Sequence, residues 1–258
     1  MTTVTYDQPI APPSRLLLWA EGRAIWEAAA SVTLWPLLRL VPRGDGHAVL
    51  VLPGLLAGDD STGLLRRYIK YRGYDVHGWG QGRNLGPRAG VEKRMSDQLK
   101  RLADKSGRKV SVIGWSLGGA YARMLASTQS DEVRDVITLG SPISGDPHAS
   151  NAWRVYEAVS GLKAEHSERW ELVARTPPVP TTSIYSRTDG VVAWQTSLER
   201  EGPQTENIEV AASHLGLGFN PAVLYAVADR LAQPEGAWEP FDRSLLGAMF
   251  YPTPAQRA

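Results

Sequence analysis

The chain alternates unbroken apolar runs with stretches in which apolar residues recur every three or four positions, and the two patterns demand different elements. Ala48 to Leu52 is apolar throughout, as a strand buried on both faces must be, and Pro53-Gly54 stops it. Leu64, Leu65, Tyr68 and Ile69 then share one face of a helix beginning near Ser61, with Gly73 as its C-terminal stop. Tyr74 to Trp79 reads as a second strand. Val91, Met95, Leu99 and Leu102 predict a helix over Val91 to Ser106 that ends at Gly107. Val110 to Ile113, Val136 to Leu139, Thr182 to Tyr185 and Ile208 to Val210 supply further strands. Asn220-Pro221 joins an N-cap residue to a first-turn proline ahead of Leu224, Val227 and Leu231. Strands separated by helices in this way predict an α/β fold, a mostly parallel central sheet covered by helices.

Two segments stand outside the alternation. Residues 14 to 42 hold Leu16, Trp19 and Trp26 at helical spacing and then the apolar stretch Leu34 to Leu38, which predicts a helix and a strand packed onto the sheet. A membrane-surface anchor is the alternative. It is not favoured, because Glu21, Arg23, Glu27 and Arg39 leave no one-sided basic face. Ser141 to Pro180 separates two strands by far more than an ordinary connection of roughly 2–6 residues, which makes it a candidate for a small helical lid, the alternative being a long structural connection. Inside it Ala152, Val155, Tyr156 and Val159 repeat at helical spacing between the cap residue Asn151 and Gly161, a stripe expected to look inward. Trp153 lies off that stripe and either packs on the body of the protein or lines the mouth of a pocket.

Composition narrows the chemistry. The 258 residues suit one domain over 1–258 with the lid inserted at about 141–180. Net charge is +1, from 28 basic and 27 acidic residues, too weak a field to hold a phosphate backbone, so no nucleic-acid partner is expected. The absence of cysteine removes disulfides, thiolate nucleophiles and Cys-ligated metals. Residues 1 to 13 carry no basic run, and the apolar Leu16 to Ala20 is broken at once by Glu21 and Arg23, unlike a secretory or membrane segment. A cytoplasmic location is the expectation; the sequence leaves the oligomeric state open.

Gly114-Trp115-Ser116-Leu117-Gly118-Gly119 carries the chemistry. A strand followed by Gly-x-Ser-x-Gly and a helix is a nucleophile elbow, in which small neighbours let a strained turn lift the serine above the sheet. A glycine-rich turn built only for packing leaves the central hydroxyl unexplained. Serine needs a base held in one tautomer by a third group. His214, in the loop between the last strand and the last helix, is the expected base; His166 reads as a solvated helix residue, and His148 has only Asp146 close by. Asp189, in the turn after Thr182 to Tyr185, is the expected acid, and Asp146, beyond the strand ending at Leu139, is its rival. Leu117 and Leu55 are the expected oxyanion donors through their amides, since acyl transfer calls for one N–H after the nucleophile and one from the loop after the first strand. Trp115, Trp153 and Tyr156 are the expected substrate contacts.

Leu52-Pro53-Gly54-Leu55, the serine motif, Ser186 to Val192 and Ser213-His214 together resemble the α/β-hydrolase superfamily, and within it the bacterial esterases and lipases. The resemblance spans residues 47 to 232. It implies hydrolysis of a small-molecule acyl ester through an acyl-enzyme, with no cofactor and no metal. A thioesterase or acyltransferase uses the same parts, and a non-catalytic binding member of the fold has no need of them. The loop after the first strand departs from the family in having Pro53-Gly54 where a His-Gly pair is common.

Overall fold

The unbroken apolar run Ala48–Leu52 forms a strand buried along its whole length, and five more strands line up beside it, all parallel. The computed structural model describes residues 3–4, 10–165, 167–243 and 250–257. In chain order the elements are β1 (Thr3–Val4), α1 (Arg15–Trp19), α2 (Ala24–Thr33), α3 (Trp35–Leu38), β2 (Ala48–Leu52), α4 (Gly63–Tyr71), β3 (Asp75–Gly78), α5 (Val91–Ser106), β4 (Val110–Trp115), α6 (Leu117–Thr128), β5 (Val133–Leu139), α7 (Trp153–Ser160), α8 (Glu168–Ala174), β6 (Thr181–Tyr185), β7 (Thr205–Glu209), α9 (Pro221–Leu231) and β8 (Gln256–Arg257). The main sheet runs β3-β2-β4-β5-β6-β7, and β1 pairs with β8 apart from it. The chain goes outward from β2 to β3 and returns to β4 on the other side. The C-terminal ends of β2 and β4 therefore flank a crevice of the kind where parallel sheets bind ligands.

Period-two alternation divides the core between the two faces of the sheet. Val49, Val51, Ile113 and Ile137 pack with Leu65 and Tyr68 of α4 and with Leu224 and Val227 of α9. Leu50, Leu52, Val112 and Val136 pack on the opposite face with Met95 and Leu99 of α5 and Tyr121 and Leu125 of α6. Helix α5 has the bounds that its apolar stripe predicts, and Gly107 closes it at φ 62°, where a side chain would be strained. Asn220 caps α9 by accepting from the Ala222 amide.

Two expectations need correction. Residues 14 to 42 contain no strand: the stretch Leu34 to Leu38 enters the short helix α3, where Pro36 sits in the first turn. Proline suits that place and lacks the N–H a strand would need to donate. Within residues 140–180 two short helices do form, but α7 is capped at Ala152 rather than Asn151. The Asn151 side-chain Nδ2 instead donates to the carbonyls of Pro13 and Gly190, at 3.0 and 2.8 Å.

Candidate functional site

Ser116 stands at the abrupt change from β4 to α6 with φ 54°, a left-handed conformation that costs a side-chain-bearing residue about 1–3 kcal/mol. Its flanking glycines are required by contact. A Cβ on Gly114 would run into the Gly118 carbonyl, and one on Gly118 into the Leu52 carbonyl. Helix α6 thus starts directly over the end of β2, with its first amides at the serine.

The loop after β2 comes equally close, since a Cβ on Gly54 would lie 3.2 Å from the Ser116 Cβ. Leu56 holds a positive φ of 62°, and its amide donates to the Asn84 carbonyl at 2.7 Å. Asn84 is fully buried and knits this loop: its side chain donates to the Pro53 carbonyl at 2.8 Å, and its own amide to Ala57 at 2.8 Å. Among the described residues the amides of Leu55 and Leu117 have no acceptor, and both residues border the same cavity as Ser116. Asn84 had no sequence signal beyond a lone amide in a glycine-rich loop.

His214 and Asp189 meet as the loops after β7 and β6 converge. His214 Nδ1 lies 2.6 Å from Asp189 Oδ2, while Asp189 Oδ1 accepts from the amides of Val191 and Val192 at 2.8 and 2.7 Å. Asp146, the rival acid, is bonded to His148 in an exposed turn instead. His166 lies outside the described residues. Burial pushes the His214 imidazole down, but the Asp189 carboxylate, by charge and by hydrogen bond, and then Glu21 by charge, outweigh it; the net pKa lies above the ordinary histidine value. Among the described residues no hydrogen bond joins Ser116 to His214. Such serine–base bonds are often long before substrate arrives.

The N-terminal segment grips both loops, a role its sequence did not reveal. Glu21, only 5 % exposed, accepts from the amides of Gly190, His214 and Leu215 at 2.8, 2.9 and 2.8 Å. Glu27 accepts from the Ser213 amide at 2.8 Å, and Arg23 donates to the carbonyls of Thr188 and Ala212. The carboxylates that interrupt this apolar stretch face inward.

A cavity of about 290 Å³ opens beside Ser116. Leu117, Ala120 and Met124 form its floor, and Trp153, Tyr156, Trp170 and Val173 of the 140–180 segment cover it. Arg123, fully buried on α6, pins that cover by donating to the carbonyls of Val173 and Arg175 and pairing with Glu199. Trp153 and Tyr156 therefore stand at the cavity, but Val155 is exposed, so the inward face of α7 is rotated from the expected stripe. Trp115 does not line the cavity. Strand alternation puts it with Ile113 on the α9 face, packed against Phe219, and its indole N–H donates to the His214 carbonyl at 3.1 Å. No group of three His, Cys, Asp or Glu able to hold a metal occurs among the described residues.

Comparisons with known proteins bear on the family and the fold. The model of the alpha/beta hydrolase family matches residues 18–250. A mouse (Mus musculus) protein described as serine hydrolase BPHL is 27 % identical over 144 residues, covering 52 % of this chain and 47 % of that protein. The chain thus spans about half the length of that curated relative. Among solved structures, lipase B of Aspergillus fumigatus superposes with a TM-score of 0.57 at 17 % identity, covering 79 % of this chain and 58 % of that one. The metagenome-derived lipolytic enzymes LipS and LipT are represented by a structure with TM-score 0.58 and 14 % identity, covering 74 % of this chain and 96 % of that one. A pyrethroid hydrolase from Sphingobium faniae JZ-2 gives 0.52 at 18 % identity, covering 73 % and 98 %. At such identities these structures speak for the fold.

Proposed function

Since the chain belongs to the alpha/beta hydrolase family, we propose that it is a serine carboxylic ester hydrolase acting on an uncharged acyl ester. Ser116 Oγ attacks the ester carbonyl as its proton passes to His214 Nε2, and the new oxyanion accepts from the amides of Leu55 and Leu117. Collapse breaks the bond to the alkoxide oxygen, which takes the proton from His214 and leaves as the alcohol. A water activated by His214 then attacks the acyl-Ser116 ester and frees the acid. Asp189 keeps the His214 Nδ1–H in place and stabilises the imidazolium, and apolar Ala120, Met124 and Val173 suit an acyl chain.

The observation that carries this reading is Ser116 itself, held at φ 54° beside the cavity, where an L side chain would not sit without a reason. The test is a panel of p-nitrophenyl esters from acetate to palmitate, run beside acyl-coenzyme A thioesters. Wild type is expected to turn over the oxygen esters, and Ser116→Ala to lose on the order of 10⁴ to 10⁶ in turnover while staying folded. A fluorophosphonate probe should label wild type and not Ser116→Ala; labelling that persists in the variant removes Ser116 as nucleophile.

A further inference from the structure

Helix α2 is amphipathic the wrong way round for a helix in water. Its inward positions are Ala24, Glu27 and Ser31, with the two polar side chains bonded into the base loop and the Phe219 carbonyl. Its outward stripe is Ile25, Trp26, Ala29 and Val32 at helical spacing. With Leu16, Trp19 and Leu40 the large outward side chains Ile25, Trp26 and Val32 are 72 % to 84 % exposed. Exposed charge along this segment has one sign. Between residues 10 and 43 the exposed charged residues are Arg15, Arg39 and Arg43, because both carboxylates, Glu21 and Glu27, are spent inward. The objection drawn from sequence, that the acids cancel the basic face, therefore fails.

We propose that this face docks on an anionic lipid bilayer, with the tryptophans and aliphatic residues entering the headgroup boundary and the arginines meeting lipid phosphates. No helix among the described residues is long and apolar enough to cross a membrane, so the segment lies on the surface. Charge favours a bilayer over a second copy of the chain, since the exposed charges of this segment are all arginines and would repel those of a second copy. Docking here does not depend on the hydrolytic reading.

Sedimentation with phosphatidylcholine vesicles, with and without about a third of phosphatidylglycerol, tests it. Wild type is expected to sediment with the anionic vesicles and to be released by high salt, and Trp19→Ser/Trp26→Ser to bind at least tenfold less with unchanged turnover of a soluble ester. Arg15→Glu/Arg39→Glu gives a second variant with an intact apolar face and should also lose binding. The proposal fails if wild type stays in the supernatant, if neutral vesicles bind it equally, or if the tryptophan variant binds as well as wild type. A dimer in solution that the tryptophan variant disperses would assign the face to a second copy.

A separate observation, the three amides converging on buried Glu21, points to a second inference, which rests on the hydrolase reading: we infer that Glu21 is a positioning residue for His214. One oxygen accepts from both Gly190 and His214, so a single carboxylate sets the acid loop against the base loop. The charged groups around the imidazole are Asp189 from the β6 loop and Glu21 and Glu27 from the N-terminal segment, with Arg23 bonded to the same loops. Glu21→Gln keeps the shape and removes the charge. It should lower kcat by roughly 10- to 100-fold with little change in KM, through loss of orientation. The acidic limb of the rate profile and the His214 titration followed by NMR should both move to lower pH. A folded variant whose His214 titrates as in wild type overturns the inference. The NMR arm stands even if no ester is hydrolysed, so failure of the hydrolytic reading is told apart.

Discussion

Ser111 and Ser116 sit at opposite ends of one short stretch, the first on β4 and the second on the turn leaving it, and each has a histidine and an aspartate in its neighbourhood. At the start of β4, His47 Nε2 lies 2.8 Å from Ser111 Oγ and His47 Nδ1 lies 2.5 Å from Asp45 Oδ1. By distance alone this is the better-formed constellation. Yet Ser111 is fully buried in regular strand, and its hydroxyl donates to Asp135 at 2.6 Å, so its proton is already committed. Burial above all, with Arg134 nearby, holds the His47 pKa below its ordinary value despite Asp45. The histidine at the other end is shifted upward, which suits the proton acceptor proposed for it. Ser116 has a strained backbone, a cavity beside it and, among the described residues, two nearby amides without acceptors. Proximity of the right residue types builds a polar core just as readily as an active centre; access and, among the described residues, unspent donors favour the Ser116 end as the proposed centre.

The contrast breaks most sharply at the histidines. His214→Ala is expected to lower turnover by about 10⁴ to 10⁶, as far as loss of Ser116 does, because serine and base act as one unit. His47→Ala should leave turnover within about twofold and cost roughly 2–4 kcal/mol of stability in urea unfolding, from lost packing and stranded polar partners. Activity lost with His47 and kept without His214 would reverse the assignment. Asp189→Asn should reduce turnover by roughly 10² to 10⁴, since the imidazole loses its orientation and its partner charge but remains a base. At the cover of the cavity, Trp153→Ala/Tyr156→Ala should change the ratio of long- to short-ester turnover by roughly 10- to 200-fold while probe labelling of Ser116 persists. An unaltered chain-length profile in the folded variant would detach α7 from the acyl site. Ser111→Ala should cost about 1–3 kcal/mol of stability and no activity, because it leaves His47 and Asp135 without their shared hydroxyl.

The pH dependence gives the finest cut. In the proposed reaction His214 must be neutral to take a proton, and its raised pKa keeps it charged to higher pH than a free histidine. Activity as kcat/KM should therefore fall, on acidification, through a midpoint above about 6.5. A midpoint well below that value would point to a histidine dominated by burial, as His47 is.

The features legible along the chain are short-range. The apolar run Ala48 to Leu52, the stripe Val91 to Leu102 and the glycines around Ser116 each answer to backbone geometry within a few residues, and each lies where its pattern required. Trp115 was legible by the same logic, since two-residue alternation already sets it with Ile113 and away from the cavity. The alternation of strands and helices and the order of Ser116, Asp189 and His214 along the chain likewise follow from pattern. Tertiary structure decided which face of each pattern meets which partner. Periodicity identifies a stripe but not what covers it, so the register of α7 and the outward turn of Trp19 and Trp26 were beyond reach. Glu21 meets Gly190, His214 and Leu215 across more than 160 residues of chain, and Arg123 meets Glu199 across 76. A buried carboxylate or guanidinium is stable only where distant donors or acceptors converge on it, and that convergence exists only once the sheet has brought its strand ends together.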